Sequence, residues 1–373
     1  MVSLFDFRFR LFLVPFCIGL SISCGDATPE EFLVEDLRIL NIKTEPPELA
    51  LFVAPKDGAL ELKPDALPAP DLRPLEVSVL AAHPDLDAAL QFDWIRCAPG
   101  LNSIPCEGNE RVRLSELPGN TLRFSPVEIL LQELTEQGAN SNLASGFNSD
   151  PRELLSGLIA NVNVEVKVIQ AGQAVDTPVL EGKKRIVLFE PRLVAQTILT
   201  ARDLDPSQIP QVEGIELPSL CTNTGEAQIL RLFDYLENRT ANRNPIIERI
   251  DVGILTRTDS STVTLTSTTV LTVSPGQTIS IEPILNEDAP EKYQVIDGNC
   301  ELLDFDEDPT FSWFTNAGDF RSRRTRSEDP LNIYSAPELA ELTADETKIR
   351  IFMVVRDGRG GSDHRSLDLL VVR

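Results

Sequence analysis

The residues able to do chemistry are few in kind and scattered. The 373 residues hold two histidines and six cysteines. A Ser-His-Asp centre would have to use His83 or His364, because imidazole is the ordinary general base at neutral pH. His83 precedes Pro84 at the end of an apolar run, and His364 lies in a Gly-rich hairpin, so turn or surface placement is expected for both. No Gly-x-Ser-x-Gly, His-Glu-x-x-His or Gly-x4-Gly-Lys segment occurs. Their absence removes the elbow-type hydrolase, zinc-protease and phosphate-loop readings. Arg356-Asp357-Gly358-Arg359-Gly360-Gly361 is Gly-rich, but no helix pattern follows it, unlike a dinucleotide turn. No cofactor is expected.

Carboxylates are abundant, so a glycosidase-like pair stands as one alternative. It needs two carboxyls about 5–10 Å apart and, usually, aromatic platforms for the sugar. Both tryptophans, Trp94 and Trp313, read instead as core centrepieces, and the chain is read as non-catalytic. Asp304, Asp306 and Asp308 match the opening of a calcium loop, where alternate carboxylates converge on one ion. The pattern then departs, with Pro309 in place of the turn glycine and Thr315 in place of the closing glutamate. Calcium is the candidate ligand, and a solvated acidic loop is the plain alternative.

The N-terminus carries Arg8 and Arg10, an apolar run from Leu11 to Leu20, and then Ser21-Ile22-Ser23-Cys24. That run is about half the ~20 residues a spanning helix requires, so it reads as a signal peptide. The approach to Cys24 resembles a lipobox, the bacterial signal for lipidating a cysteine. Ser21 stands where the usual leucine would be, and Leu20 lies one place further out. Acyl chains on Cys24, at ~0.8 kcal/mol per buried CH₂, would hold the protein on a membrane with no transmembrane helix. Plain secretion with cleavage beside Ser23 is the alternative. A net charge of −24 excludes nucleic acid as a partner, since phosphate binding needs clustered Lys and Arg.

Cys17 lies in the signal, which leaves Cys97, Cys106, Cys221 and Cys300. An even count in an exported chain favours disulfides. Cys97 and Cys106 enclose the turn-rich Ala-Pro-Gly-Leu-Asn-Ser-Ile-Pro, and so small a ring is worth ~2–3 kcal/mol. Cys221 with Cys300 follows by elimination. Zinc is disfavoured, because there is no Cys-x-x-Cys and the histidines stand alone.

The elements that would position these residues are mostly strands. Leu75, Val77 and Val79 alternate with Glu76 and Ser78, and Val162, Val164, Val166 and Val168 alternate with Asn163, Glu165 and Lys167. Period-2 alternation marks half-buried strands. Ser125-Pro126-Val127-Glu128 is a capping box that opens a helical insertion at about 125–160. Ile229, Leu232, Phe233 and Leu236 form one face of a helix over about 226–237. The chain thus divides into a signal at 1–23, an acidic tether at 24–36 and a first domain at 37–190. A connector at 191–243 and a second domain at 244–373 follow.

Each domain places an alternating strand ahead of Phe-x-Trp (Phe92/Trp94 and Phe311/Trp313) and a Val/Ile-rich hairpin after it. A lone Trp between two sheets suits an immunoglobulin-like sandwich. The fold class expected is therefore mainly β: two such sandwiches, the first with a helical insertion, joined by a partly helical connector.

Pro275-Gly276-Gln277-Thr278-Ile279-Ser280-Ile281, Phe311-Ser312-Trp313-Phe314 and Val354 through Gly361 resemble the immunoglobulin-like and PKD-like modules of bacterial surface proteins. With the lipobox and the opening Leu37 to Pro47, the chain is similar to bacterial lipoproteins of delta-proteobacterial type. The resemblance implies an envelope location and a fold, not an activity. The function expected is structural or protein-binding at the cell envelope. A carbohydrate-binding or adhesive surface module, with a glycan as partner, and a carboxylate-pair hydrolase are the alternatives.

Overall fold

The computed structural model describes residues 32–50, 71–96, 112–115, 119–129, 158–172, 179–190, 231, 234–236, 239–255, 260–265, 270–296 and 301–373. All six cysteines lie outside these residues, and so do the lipidation and disulfide expectations. The chain separates into two compact units, Met1–Leu33 and Val34–Arg373; everything below concerns the second.

Eight strands build the first sandwich: β1 (Arg38–Glu45), β2 (Glu48–Ala50), β3 (Leu75–Ala82), β4 (Leu90–Arg96), β5 (Val112–Ser115), β6 (Thr121–Phe124), β7 (Leu158–Gln170) and β8 (Leu180–Phe189). One sheet has the order β1-β3-β6 and the other β2-β8-β7-β4-β5. The apolar positions of the alternating runs meet between them. Leu75, Val77 and Val79 from one sheet and Trp94, Val164, Val166 and Ile186 from the other belong to one buried cluster. Trp94 is 1% exposed, and its indole N–H donates to the Gly119 carbonyl at 3.1 Å, so the ring is buried without leaving its polar atom unpaired. At Gly182 the layers approach closely, and a Cβ would come within 2.8 Å of both Ile39 Cδ1 and Ile42 Cδ1.

The second sandwich repeats this plan. Its strands are β9 (Ile247–Leu255), β10 (Ser260–Leu265), β11 (Val270–Val273), β12 (Thr278–Leu285), β13 (Lys292–Ile296), β14 (Leu302–Asp306), β15 (Thr310–Thr315), β16 (Asp319–Phe320), β17 (Arg324–Arg326), β18 (Asn332–Ser335), β19 (Glu346–Arg356) and β20 (Ser362–Val372). Its sheets run β10-β9-β12-β18-β16 and β11-β20-β19-β15-β17. Removing β10, β13, β14 and β16 leaves eight strands that correspond one for one, in chain order, to those of the first sandwich. In each, a short strand pairs parallel with the last strand of a long hairpin: β2 with β8, and β11 with β20. The hairpin's other arm pairs with the Trp strand, β7 with β4 and β19 with β15. This is the immunoglobulin-like arrangement, with a Trp on the third core strand set between two packed sheets that are antiparallel apart from these edge pairs.

Trp313, 1% exposed, begins an aromatic chain from one sheet to the other. Its ring lies 5.6 Å from Phe320, which lies 5.2 Å from Tyr334. The indole N–H donates to Thr325 Oγ1 at 3.0 Å. Residues 126–129 are helical, and the Glu128 N–H donates to Ser125 Oγ at 3.2 Å, as a capping residue requires. In the connector, residues 231 and 234–236 are helical. No helix among the described residues is long and apolar enough to cross a membrane.

Candidate functional site

Two features draw polar side chains together: a buried junction between the sandwiches and a cleft beside it. The junction forms where residues 239–247 and the β19–β20 turn meet the end of β1 and the start of β2. Asp357 opens that turn, and its carboxylate accepts from the Arg359 and Gly361 backbone N–H groups at 2.7 and 3.0 Å. Asn242 Nδ2 donates to its other oxygen at 2.8 Å, while the Asn242 N–H donates to Glu48 Oε2 at 2.8 Å. Asn244 donates to the Thr44 carbonyl and accepts from the Ser362 N–H, each at 2.8 Å. One side chain therefore bonds backbone of both sandwiches.

Ion pairs complete the contact. Lys43 Nζ lies 3.0 Å from Asp363, and Asp363 also accepts the Ile247 N–H at 3.0 Å. Arg356 donates to the Leu40 carbonyl at 2.7 Å and Lys184 to the Gly360 carbonyl at 2.9 Å. Beneath them Leu40 and Ala82 pack with Phe352 and Val354. Gly361 has no alternative here: a Cβ would stand 2.1 Å from Asp357 Oδ2 and 2.9 Å from the Arg243 carbonyl.

Burial shifts the junction's titrations. It raises Asp357 above the usual carboxylate range against the pull of its hydrogen bonds. It lowers Lys184 and His364 below their ordinary values. Desolvation disfavours a charged form of either sign, so acids rise and bases fall.

The cleft, of about 380 Å³, is lined by Arg231, Asp234, Tyr235 and Thr240, by the β13–β14 hairpin and by Arg359. Arg359 is its organising side chain. Its guanidinium lies 4.3 Å over the Tyr293 ring and binds Glu307 at 3.0 Å and Glu291 at 3.4 Å. Glu307 also accepts the Glu291 N–H, and burial raises its carboxyl above the normal range. Arg239, also in the wall, stacks 4.2 Å over Phe189 and pairs with Glu48 at 3.3 Å. Tyr235, buried in the same wall, donates its hydroxyl to the Gln294 carbonyl at 3.1 Å.

The sequence-derived candidates fall as follows. Trp94 and Trp313 are buried at the centres of their sandwiches. Asp304 and Asp306 lie on β14, an extended strand rather than the loop expected. Asp304 accepts from Gln294 at 2.8 Å, Asp306 lies 3.5 Å from Lys292, and Asp308 pairs with Arg326 at 3.0 Å. Each carboxylate thus has its own partner and the three do not converge on one point. No group of three metal-binding side chains occurs among the described residues. His83 follows β3 and accepts from the Asp85 N–H. His364, expected in a hairpin at the surface or in a turn, lies in the β19–β20 hairpin but is half-buried on β20, with Nδ1 3.4 Å from Asn41 Nδ2. Two carboxylates, Asp234 and Glu291, line the cleft, and Glu291 is already held by Arg243 and Arg359.

Sequence reasoning missed the junction and the cleft. Asn242-x-Asn244-Pro245 and the Asp357-Gly358 turn were the available signals, since Asn and Asp side chains bond nearby backbone where regular structure stops.

No protein-family model matches the sequence, and no curated protein sequence does. Among solved structures the chain shows a likeness to the protocadherin GammaB4 extracellular domain, at 11% identity and a TM-score of 0.17, covering 91% of this chain and 35% of that one. An overlap so slight carries no argument, and the fold rests on the sheet orders above.

Proposed function

We propose that this chain is a non-catalytic structural or binding protein of the bacterial cell envelope. In this reading residues 1–23 direct export, a lipid on Cys24 anchors the chain, and residues 24–36 lift the body from the membrane. The sandwiches at 37–190 and 244–373 form the working portion, with the connector between them. Disulfides Cys97–Cys106 and Cys221–Cys300 belong to the same reading. The observation that carries it is how the buried polar groups are used. Asn242 bridges Glu48 and Asp357, Asn244 bonds backbone of both sandwiches, and Asp363 of the second pairs with Lys43 of the first. A catalytic centre instead needs titratable groups that converge on a substrate with free valences. A stiff pair of sandwiches presents loops and edge strands to a partner in fixed relation.

The test is Cys24→Ala in the full chain, expressed in a bacterium and followed by fractionation and by labelling with a palmitate analogue. The native chain is expected in the membrane fraction with label, and the substituted chain in the soluble fraction without it. Substituted protein that keeps both the label and the membrane sinks the anchor.

A further inference from the structure

We propose that the cleft beside the β13–β14 hairpin binds a neutral oligosaccharide, with the outer face of the hairpin as its extension. The inference rests on the binding role above but not on the anchor.

The cations that line the cleft are opposed within the chain: Arg359 by Glu291 and Glu307, Arg239 by Glu48, and Lys292 by Asp306 at 3.5 Å. Arg231 and Asp234, both exposed, stand together on the helical segment. An anion entering here meets carboxylates beside the Arg239 and Arg359 guanidiniums, and a metal ion meets guanidinium beside Glu291. Thr240, Lys292 and Arg231 offer donors, while Asp234 and the Thr240 hydroxyl offer acceptors. The ligand class that uses both kinds at once is one whose every polar group donates and accepts, which is the hydroxyl group.

Tyr293 pairs across the ladder with Phe305, and Val295 with Leu303, so these four side chains share one face. Phe305, Leu303 and Val295 are 43, 41 and 36% exposed, and the Tyr293 and Phe305 rings stack at 5.7 Å. A pyranose ring carries C–H bonds on its faces, whose positive edges suit the negative face of an aromatic ring. Tyr293 also lines the cleft, so the aromatic pair continues from its wall. The cleft falls in the small-ligand size range of roughly 300–1,000 Å³, enough for the end of a glycan with the remainder lying along the ridge.

The test is calorimetric titration of the full-length chain with β-1,4-glucose, α-1,4-glucose and β-1,4-N-acetylglucosamine hexasaccharides. A uronic-acid hexasaccharide and inorganic phosphate are the anionic arms. Saturable binding of at least one neutral sugar is expected. Phe305→Ala and Asp234→Asn, both at exposed positions, are each expected to weaken it tenfold or more at an unchanged melting midpoint. Three results overturn the proposal: no saturable binding of any neutral sugar, tighter binding of an anionic arm, or neutral-sugar binding that neither substitution changes. A chain that fails here yet still follows Cys24 to the membrane loses this site alone and keeps the envelope role.

Discussion

His364 shows how position decides the behaviour of a single side chain. It stands two residues into β20, with Asn41 of β1 at 3.4 Å and the charges of Asp363, Lys43 and Arg365 nearby. Burial lowers its proton affinity in the fold, with the two cations adding to the effect and Asp363 opposing it. The unfolded chain therefore takes up a proton near pH 6.5 while the folded chain does not, and stability is lost as pH falls from about 6.5 toward the lower folded value. Thermal unfolding between pH 7.5 and 5 should show this decline, and His364→Asn should flatten it. An undiminished slope in the variant would place the titration elsewhere. Glu165 carries a related lesson. Its place in the alternating run Val162–Val168 assigns it to an outer face, yet it is wholly buried beside Lys183. Periodicity shows which face a residue takes, not how much long neighbouring side chains cover that face.

At the scale of elements, the long strands were legible in the sequence because burial on one face imposes period 2. The runs at 75–79 and 162–168 became β3 and β7. The short parallel strands β2 and β11 were not legible, since three or four residues carry no period. The β13–β14 hairpin was hidden for another reason: its acidic residues suggested a loop, although Tyr293, Val295, Leu303 and Phe305 alternate. The Phe-x-Trp pair was the most reliable element signal, because each indole fills the centre of its sandwich and also satisfies its N–H. Trp94→Ala and Trp313→Ala should each cost ~3–5 kcal/mol through the cavity left behind. Urea midpoints measure this, and a loss under ~1 kcal/mol for either ring would mean that its sandwich can close without it.

At the scale of the molecule, the junction makes two sandwiches into one compact unit. Asn242, Asn244 and Asp357 marked places where regular structure stops, but their partners were not legible, because side chains bonding distant groups leave no pattern in the sequence. Asn242 and Asn244 link both halves, and removing their side chains leaves Asp357, the Thr44 carbonyl and the Ser362 N–H with fewer partners, at ~1–3 kcal/mol for each buried group left unpaired. The native chain should melt in one calorimetric transition, and Asn242→Ala with Asn244→Ala should resolve it into two. A single transition at the native midpoint would show that the apolar contact of Leu40 and Ala82 with Phe352 and Val354 suffices.

The parallel edge pairs have a mechanical meaning. In β2–β8 and again in β11–β20, the early strand of a sandwich lies in the same direction as its last strand. Tension that draws the two ends of either sandwich apart slides these strands lengthwise, so their hydrogen bonds are strained together. An antiparallel pair pulled from its open end would instead unzip rung by rung. A protein tethered at one end and gripped near the other would carry its load through the geometry that resists it best.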